Sequence, residues 1–157
     1  MKKIDKAVIA KAMTYSNYRQ LIDELFAQNK TTGGNQSEAM LQYTKLNISR
    51  MKRLDKTARL AEKTLEQLSE IRQPITLLVL TEAWCGDAAQ SIPVINKMAE
   101  ASENIELRLI LRDQHLDIMD AFLTNGGRSI PKVIVLDSES GAVLGSWGPR
   151  PAALQTI

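Results

Sequence analysis

The hydrophobic pattern of the chain changes after Gln73-Pro74, and this change constrains the fold more than any other feature. Residues 75–80 (ITLLVL) form a short, continuously apolar run, which is typical of a strand buried on both faces of a sheet. A helical pattern follows over residues 86–101, and residues 105–112 (IELRLILR) alternate as a second strand. Two parallel strands joined by a helix predict an α/β fold.

The remaining segments complete the order β-α-β-α-β-β. Residues 116–127 predict a short helix, and residues 132–137 (KVIVLD) and 142–147 (AVLGSW) predict a β-hairpin. Pro149 and Pro151 suit the first turn of a further helix, where the missing N–H has no consequence. The sequence therefore predicts a mixed sheet with flanking helices.

The N-terminal half carries no strand pattern and precedes the sheet as a helical region. Its apolar residues recur at helical spacing, as in Leu21, Ile22 and Leu25, and the polar, glycine-containing residues 29–37 indicate a loop. We expect two or three helices here. The change in pattern predicts two parts, a helical N-terminal region over residues 1–70 and an α/β domain over residues 71–157.

Composition limits the classes of partner. The 157 residues are 44% hydrophobic and 24% charged, which suits a globular domain with a real core. The 20 basic and 18 acidic residues leave a formal charge of +2, so we expect neither nucleic acid nor an anionic membrane as the main partner. No apolar run approaches the ~20 residues of a membrane span, and we expect a cytoplasmic protein of unknown oligomeric state.

The only cysteine, Cys85, lies where the first strand gives way to a helix. A sulfur at a helix N-terminus is stabilised as the thiolate by unpaired backbone N–H groups, whereas the nearby charge of Asp87 opposes ionisation. We expect a modestly lowered pKa, with Gly86 permitting the bend out of the strand and Trp84 shielding one side of the sulfur. The alternative is a small buried apolar residue without reactivity. One cysteine and one histidine do not make a metal site.

Two prolines accompany the cysteine. Pro93 must kink the predicted helix eight residues after Cys85, and Ile130-Pro131 precedes a strand where a cis peptide bond would present backbone groups to a ligand. Together with Trp84-Cys85-Gly86, this arrangement resembles the thioredoxin family, from about residue 71 onward. The resemblance implies that Cys85 is the nucleophile, that Pro131 is a cis-proline beside it, and that Ile130 supplies backbone for substrate pairing.

Three positions depart from the family motif, in which two cysteines are separated by two residues. Ala88 stands at the place of the second cysteine, Asp87 at the place of a usual proline, and Val79 at the place of a buried acid. The resemblance therefore implies a monothiol, thioredoxin-like protein of bacterial type, with WCGDA as its motif.

One thiol can form a mixed disulfide, but an external thiol must release it. We expect thiol–disulfide exchange with protein or small-molecule thiols and disulfides as partners, no bound cofactor, and glutathione or another small thiol as co-substrate. Arg128 and the basic residues Arg50, Lys52 and Arg53 are candidate anchors for its carboxylates. The alternative is a non-catalytic thioredoxin-like module that binds a peptide or protein at Trp84 and Ile130-Pro131.

Overall fold

A computed structural model describes residues 1–151 of the chain. In this part the strands are β1 (Ile75–Thr81), β2 (Ile105–Leu111), β3 (Lys132–Asp137) and β4 (Val143–Trp147). The α-helices are α1 (Lys6–Lys11), α2 (Tyr15–Ala27), α3 (Glu38–Thr57), α4 (Glu62–Ser69), α5 (Gly86–Glu100) and α6 (Leu116–Ala121), and a 3₁₀ turn covers Arg112–Gln114. As expected, α5 runs through Pro93.

The four strands form one mixed sheet in the order β2-β1-β3-β4. Strand β1 pairs in parallel with β2, from Ile75 opposite Ile105 to Thr81 opposite Leu111, and α5 connects the two. Strands β3 and β4 are antiparallel to their neighbours. The predicted α/β class, with a mixed sheet, flanking helices and a helical N-terminal region, is confirmed.

Strand β1 is buried on both faces, and its alternating side chains enter two separate cores. Leu77 and Val79 face one core, which also takes side chains from α2, α3 and α5: Tyr18, Ile22, Met51, Ala89 and Ile92. Leu78 and Leu80 face the other core, which also contains Ile4, Ile118, Met119, Ile134 and Leu136. Residues from both sides of position 70 thus share a core, and the division into two parts stays a prediction.

The N-terminal segment pairs with strands at both edges of the sheet. Ile4 N–H donates to Gly141 O at 3.0 Å, and Val143 N–H donates to Lys2 O at 2.9 Å, beside β4. Met13 and Leu109 exchange two backbone hydrogen bonds of 2.8 Å on β2. The first thirteen residues therefore cross from one outer strand to the other.

The N-terminal region has four helices where two or three were expected. The Asp5 side chain caps the short α1, which the periodicity did not indicate, by accepting from Ala7 N–H at 2.9 Å. Helical spacing also predicts one apolar face along Ile48, Met51, Ala58, Ala61, Leu65 and Leu68. In the structure Ala58 is extended and separates α3 from α4. Local backbone conformation, and not periodicity, sets this break.

Helix α6 ends at Ala121, earlier than the sequence predicted. Asn125 and Gly126 have φ values of 50° and 80°, and Thr124 and Gly127 exchange backbone hydrogen bonds across them. This is the two-residue Asn-Gly turn, which needs a left-handed backbone at both central positions. The helix expected after Pro149 falls largely on residues 152–157, outside the described residues. Across residues 1–151, none of the helices combines the length and the apolar character needed to cross a membrane.

Candidate active site around Cys85

Cys85 is the N-cap residue of α5, where its backbone is still extended (φ −82°, ψ 117°). Its sulfur accepts a hydrogen bond from Ala88 N–H at 3.4 Å, and its S–H donates to the carbonyl oxygen of Ile130 at 3.4 Å. The peptide bond between Ile130 and Pro131 is cis. The thiol therefore lies between the start of α5 and the loop before β3, and it touches backbone from both.

The expected lowering of the Cys85 pKa is wrong. Burial raises the pKa of this thiol above its ordinary value, and the charge of Asp87 raises it further. The hydrogen bond from Ala88 N–H lowers the pKa but does not outweigh the burial. The sequence indicated the helix terminus correctly, but it could not indicate how much of the sulfur the surrounding residues remove from water.

Two surface grooves meet at Cys85. The first, here the loop groove, has a volume of about 440 Å³ and is lined by the Asn-Gly turn, the loop before β3 and the segment after β4. The second, here the α3 groove, has a volume of about 410 Å³ and lies between α3 and the start of α5; its apolar lining is Met40, Tyr43 and Leu46.

The residues predicted around the cysteine motif and the cis-proline lie at this junction. Trp84, Cys85 and Asp87 line both grooves. Arg128 and Ile130 line the loop groove, Gly86 lines the α3 groove, and buried Pro131 follows Ile130 directly in the chain. Ala88, at the place of the second cysteine of the motif, is 1% exposed.

Within residues 1–151, four arginines line the grooves, and three of them are paired with carboxylates. Arg128 binds Asp120 through two hydrogen bonds of 2.8 and 3.0 Å, Arg112 binds Asp113 at 3.0 Å, and Arg150 binds Asp87 at 3.0 Å. The fourth, Arg50, donates to Asn47 Oδ1 at 3.1 Å. Lys52 and Arg53, which the sequence grouped with Arg50, are exposed and line neither groove.

Glu82 is a buried acidic residue beside the site, and the sequence pattern did not single it out. Its side chain is completely buried, and its Oε2 accepts a hydrogen bond from Asp113 N–H at 3.2 Å. This contact fixes the turn that carries Arg112, whose guanidinium lies 5.0 Å from the centre of the Trp84 ring. The signal in the sequence was a single acidic residue at the end of an apolar strand.

The segment after β4 is a second feature that the sequence did not reveal. Gly148 has φ +116°, and a Cβ there would lie 2.2 Å from the Pro131 carbonyl oxygen. Lys132 Nζ donates to the Gly148 carbonyl at 3.1 Å. The chain is thereby held against the cis-proline loop, and Arg150 reaches Asp87 across the start of α5.

A mixed sheet in this order, with a cysteine at the start of the crossover helix and a cis-proline opposite, defines a thioredoxin-like protein. The thioredoxin family model matches residues 33–157, and the chain belongs to the thioredoxin family.

Two solved structures share this fold. One is a crystal structure of a protein of unknown function from Pseudomonas aeruginosa, with 22% identity and a TM-score of 0.60 over 92% of this chain and 81% of that chain. The other is a crystal structure of an HIV epitope scaffold, with 23% identity and a TM-score of 0.59 over 91% of this chain and 81% of that chain. A search of curated proteins found no significant match.

Proposed function

We propose that the protein carries out thiol–disulfide exchange as a monothiol, with Cys85 as the reacting sulfur. The supporting observation is the position of the sulfur, at the N-terminus of α5, against the Ile130 carbonyl and at the meeting point of two grooves. Because Cys85 lines both grooves, a substrate sulfur can approach it from the surface, as it could not approach a cysteine enclosed in the core.

In the first half-reaction the Cys85 thiolate attacks one sulfur of a disulfide. A bond forms between Cys85 and that sulfur, and the other sulfur leaves as a thiolate that takes up a proton. With Ala88 in place of a second cysteine, an external thiolate must attack the mixed disulfide. It restores the Cys85 thiolate and carries the bound group away in a new disulfide.

The external thiol is a small thiol of the glutathione type or a protein thiol, and no bound cofactor is required. Arg128 and Arg50 are the anchors we propose for its carboxylates, because each lines a groove that contains Cys85. Arg128 would have to exchange Asp120 for the carboxylate of the thiol. A reducing compartment supplies such thiols, so we place the protein in the cytoplasm, and we retain the bacterial monothiol type as part of the proposal.

The raised pKa sets the expected pH dependence. A free thiol of pKa about 8.5 is roughly 3% ionised at pH 7, and burial keeps the thiolate fraction of Cys85 below that. Alkylation of the folded protein by iodoacetamide should therefore rise about tenfold per pH unit and level off only above the pKa of a free thiol.

Intact mass after treatment with oxidised glutathione tests the exchange itself. We expect one glutathione adduct near pH 9, its removal by reduced glutathione, and no adduct in Cys85→Ser. If the folded protein takes up no adduct at this pH, while the unfolded protein does, the redox proposal is wrong.

A second candidate function is a binding module that uses the same surface without chemistry. The raised pKa of Cys85 and the alanine at position 88 favour it. Its distinguishing result is a folded protein that forms no adduct yet binds peptides equally well with Cys85 or Ser at this position.

A further inference from the structure

The α3 groove carries exposed apolar surface directly beside the candidate active site. Tyr43 and Leu46 are 51% and 47% exposed and, with Met40, follow one another at three-residue spacing along a single face of α3. The same groove contains Trp84 and Cys85. Two large apolar side chains exposed next to a reactive position indicate a surface that is covered when a partner is bound.

Arg50 gives this groove a charge. Among the described residues Arg50 makes no salt bridge, in contrast to Arg112, Arg128 and Arg150. A guanidinium has five N–H donors, and the hydrogen bond to Asn47 Oδ1 uses only one nitrogen. The buried Asn47 also donates to Ala83 O at 2.9 Å, so Arg50 is held against the junction that carries Cys85. A carboxylate is the complementary group.

The positions of Tyr43 and Arg50 along α3 set the order in which a bound peptide would contact them. Arg50 Nη1 lies 3.1 Å from the position that a Cβ of Gly86 would occupy, so the charge is next to the cysteine. Tyr43 lies seven residues earlier on α3, which is about 10 Å at 1.5 Å per residue. An extended peptide covers this distance with about three residues at ~3.3 Å each.

We propose that the α3 groove binds an extended segment of a partner protein in which the reacting cysteine lies within two positions of an acidic residue. A large apolar residue follows about three positions further from the cysteine. This assignment rests on the proposed function and adds the substrate class, a polypeptide rather than a small thiol. Glutathione carries carboxylates but no apolar side chain to cover Tyr43 and Leu46.

The test separates binding from chemistry by using the full chain with Cys85→Ser. The probe is a fluorescein-labelled peptide of about ten residues in extended form, made in both chain directions. The peptide has serine in place of the reacting cysteine, glutamate two positions from that serine, and phenylalanine three positions past the glutamate on the same side. We expect fluorescence anisotropy to show binding at least about fivefold tighter than for peptides with lysine for glutamate or serine for phenylalanine.

Matched variants of the protein locate the surface. Leu46→Ser and Arg50→Gln should each weaken binding about fivefold or more, and Arg50→Gln should also reduce its dependence on salt. The controls are Leu65→Ser, on α4 and 44% exposed, and Arg53→Gln, exposed on α3; both should bind like the unsubstituted chain.

Three results would overturn the inference. The first is no preference for the designed peptide, and the second is binding by Leu46→Ser and Arg50→Gln as tight as that of the unsubstituted chain. The third is sedimentation of a dimer that Leu46→Ser abolishes. The last result would assign the groove to a second copy of the chain. Peptide binding without a glutathione adduct on Cys85 would refute the proposed exchange and leave the groove assignment standing. A glutathione adduct without peptide binding would support the proposed exchange and refute the groove assignment.

Discussion

Asn47 links α3 to the strand–helix junction that holds the candidate active site, and its removal should loosen both. The residue is 0% exposed; its Nδ2 donates to Ala83 O at 2.9 Å and its Oδ1 accepts from Arg50 at 3.1 Å. Asn47→Ala removes the partner of a buried carbonyl, which costs about 1–3 kcal/mol, and leaves a small cavity, which costs roughly another 1 kcal/mol. We therefore expect a loss of about 3 kcal/mol in the free energy of unfolding.

Urea denaturation measures this loss directly, and thermal unfolding should show a melting temperature lower by roughly 6 to 12 °C. Asn96→Ala is the control, because within residues 1–151 the Asn96 side chain hydrogen-bonds to the exposed Glu100 on its own helix and to no other side chain. Alkylation of Cys85 in native buffer should also be faster in Asn47→Ala. A free energy of unfolding within about 0.5 kcal/mol of that of the unsubstituted protein would show that Asn47 does not hold α3 to this junction.

Two further predictions concern Glu82 and Gly148. Burial raises the pKa of Glu82 above its ordinary 4.5, so the folded protein retains a proton that the unfolded chain releases, and stability falls as the pH rises through this interval. Urea denaturation between about pH 4 and pH 8 should show that the free energy of unfolding falls less steeply with pH in Glu82→Gln than in the unsubstituted protein. The same slope in both proteins would contradict this prediction. Gly148→Ala, whose Cβ would meet Pro131 O at 2.2 Å, should lower the free energy of unfolding by about 2–4 kcal/mol. Gly145→Ala, where a Cβ would meet open space, should leave the free energy of unfolding nearly unchanged. The same loss in Gly145→Ala and Gly148→Ala would contradict this prediction.

The sequence predicted the parts of the fold whose physics is local and periodic. The continuous apolar run of β1, the alternation of β2 and the helical spacing of α5 follow from burial alone, and their bounds agree with the structure to within one residue. The nearness of Ile130-Pro131 to Cys85 was implied by the family resemblance alone, and in the structure the end of β1 and the loop before β3 meet at one edge of the sheet.

The parts that the sequence did not predict depend on contacts between distant segments. The pKa of Cys85 follows from burial by neighbouring elements, and the pairing of Arg150 with Asp87 joins residues 63 positions apart. Arg50 and Lys52 looked equivalent in the sequence, yet only Arg50 faces the cysteine, because helix α3 turns the other side chain towards solvent. Neither periodicity nor composition carries this information.

The N-terminal pairing with both outer strands also bears on how the sheet avoids joining other sheets. An outer strand offers unpaired backbone groups that can recruit a strand from another molecule. Lys2 and Ile4 occupy such groups beside β4, and Met13 occupies them on β2. A chain shortened by these thirteen residues would free the backbone groups of Leu109 on β2 and of Val143 on β4 at once. Two free outer strands allow end-to-end growth, whereas one free outer strand allows only a pair. We expect such a chain to form polymers and not dimers.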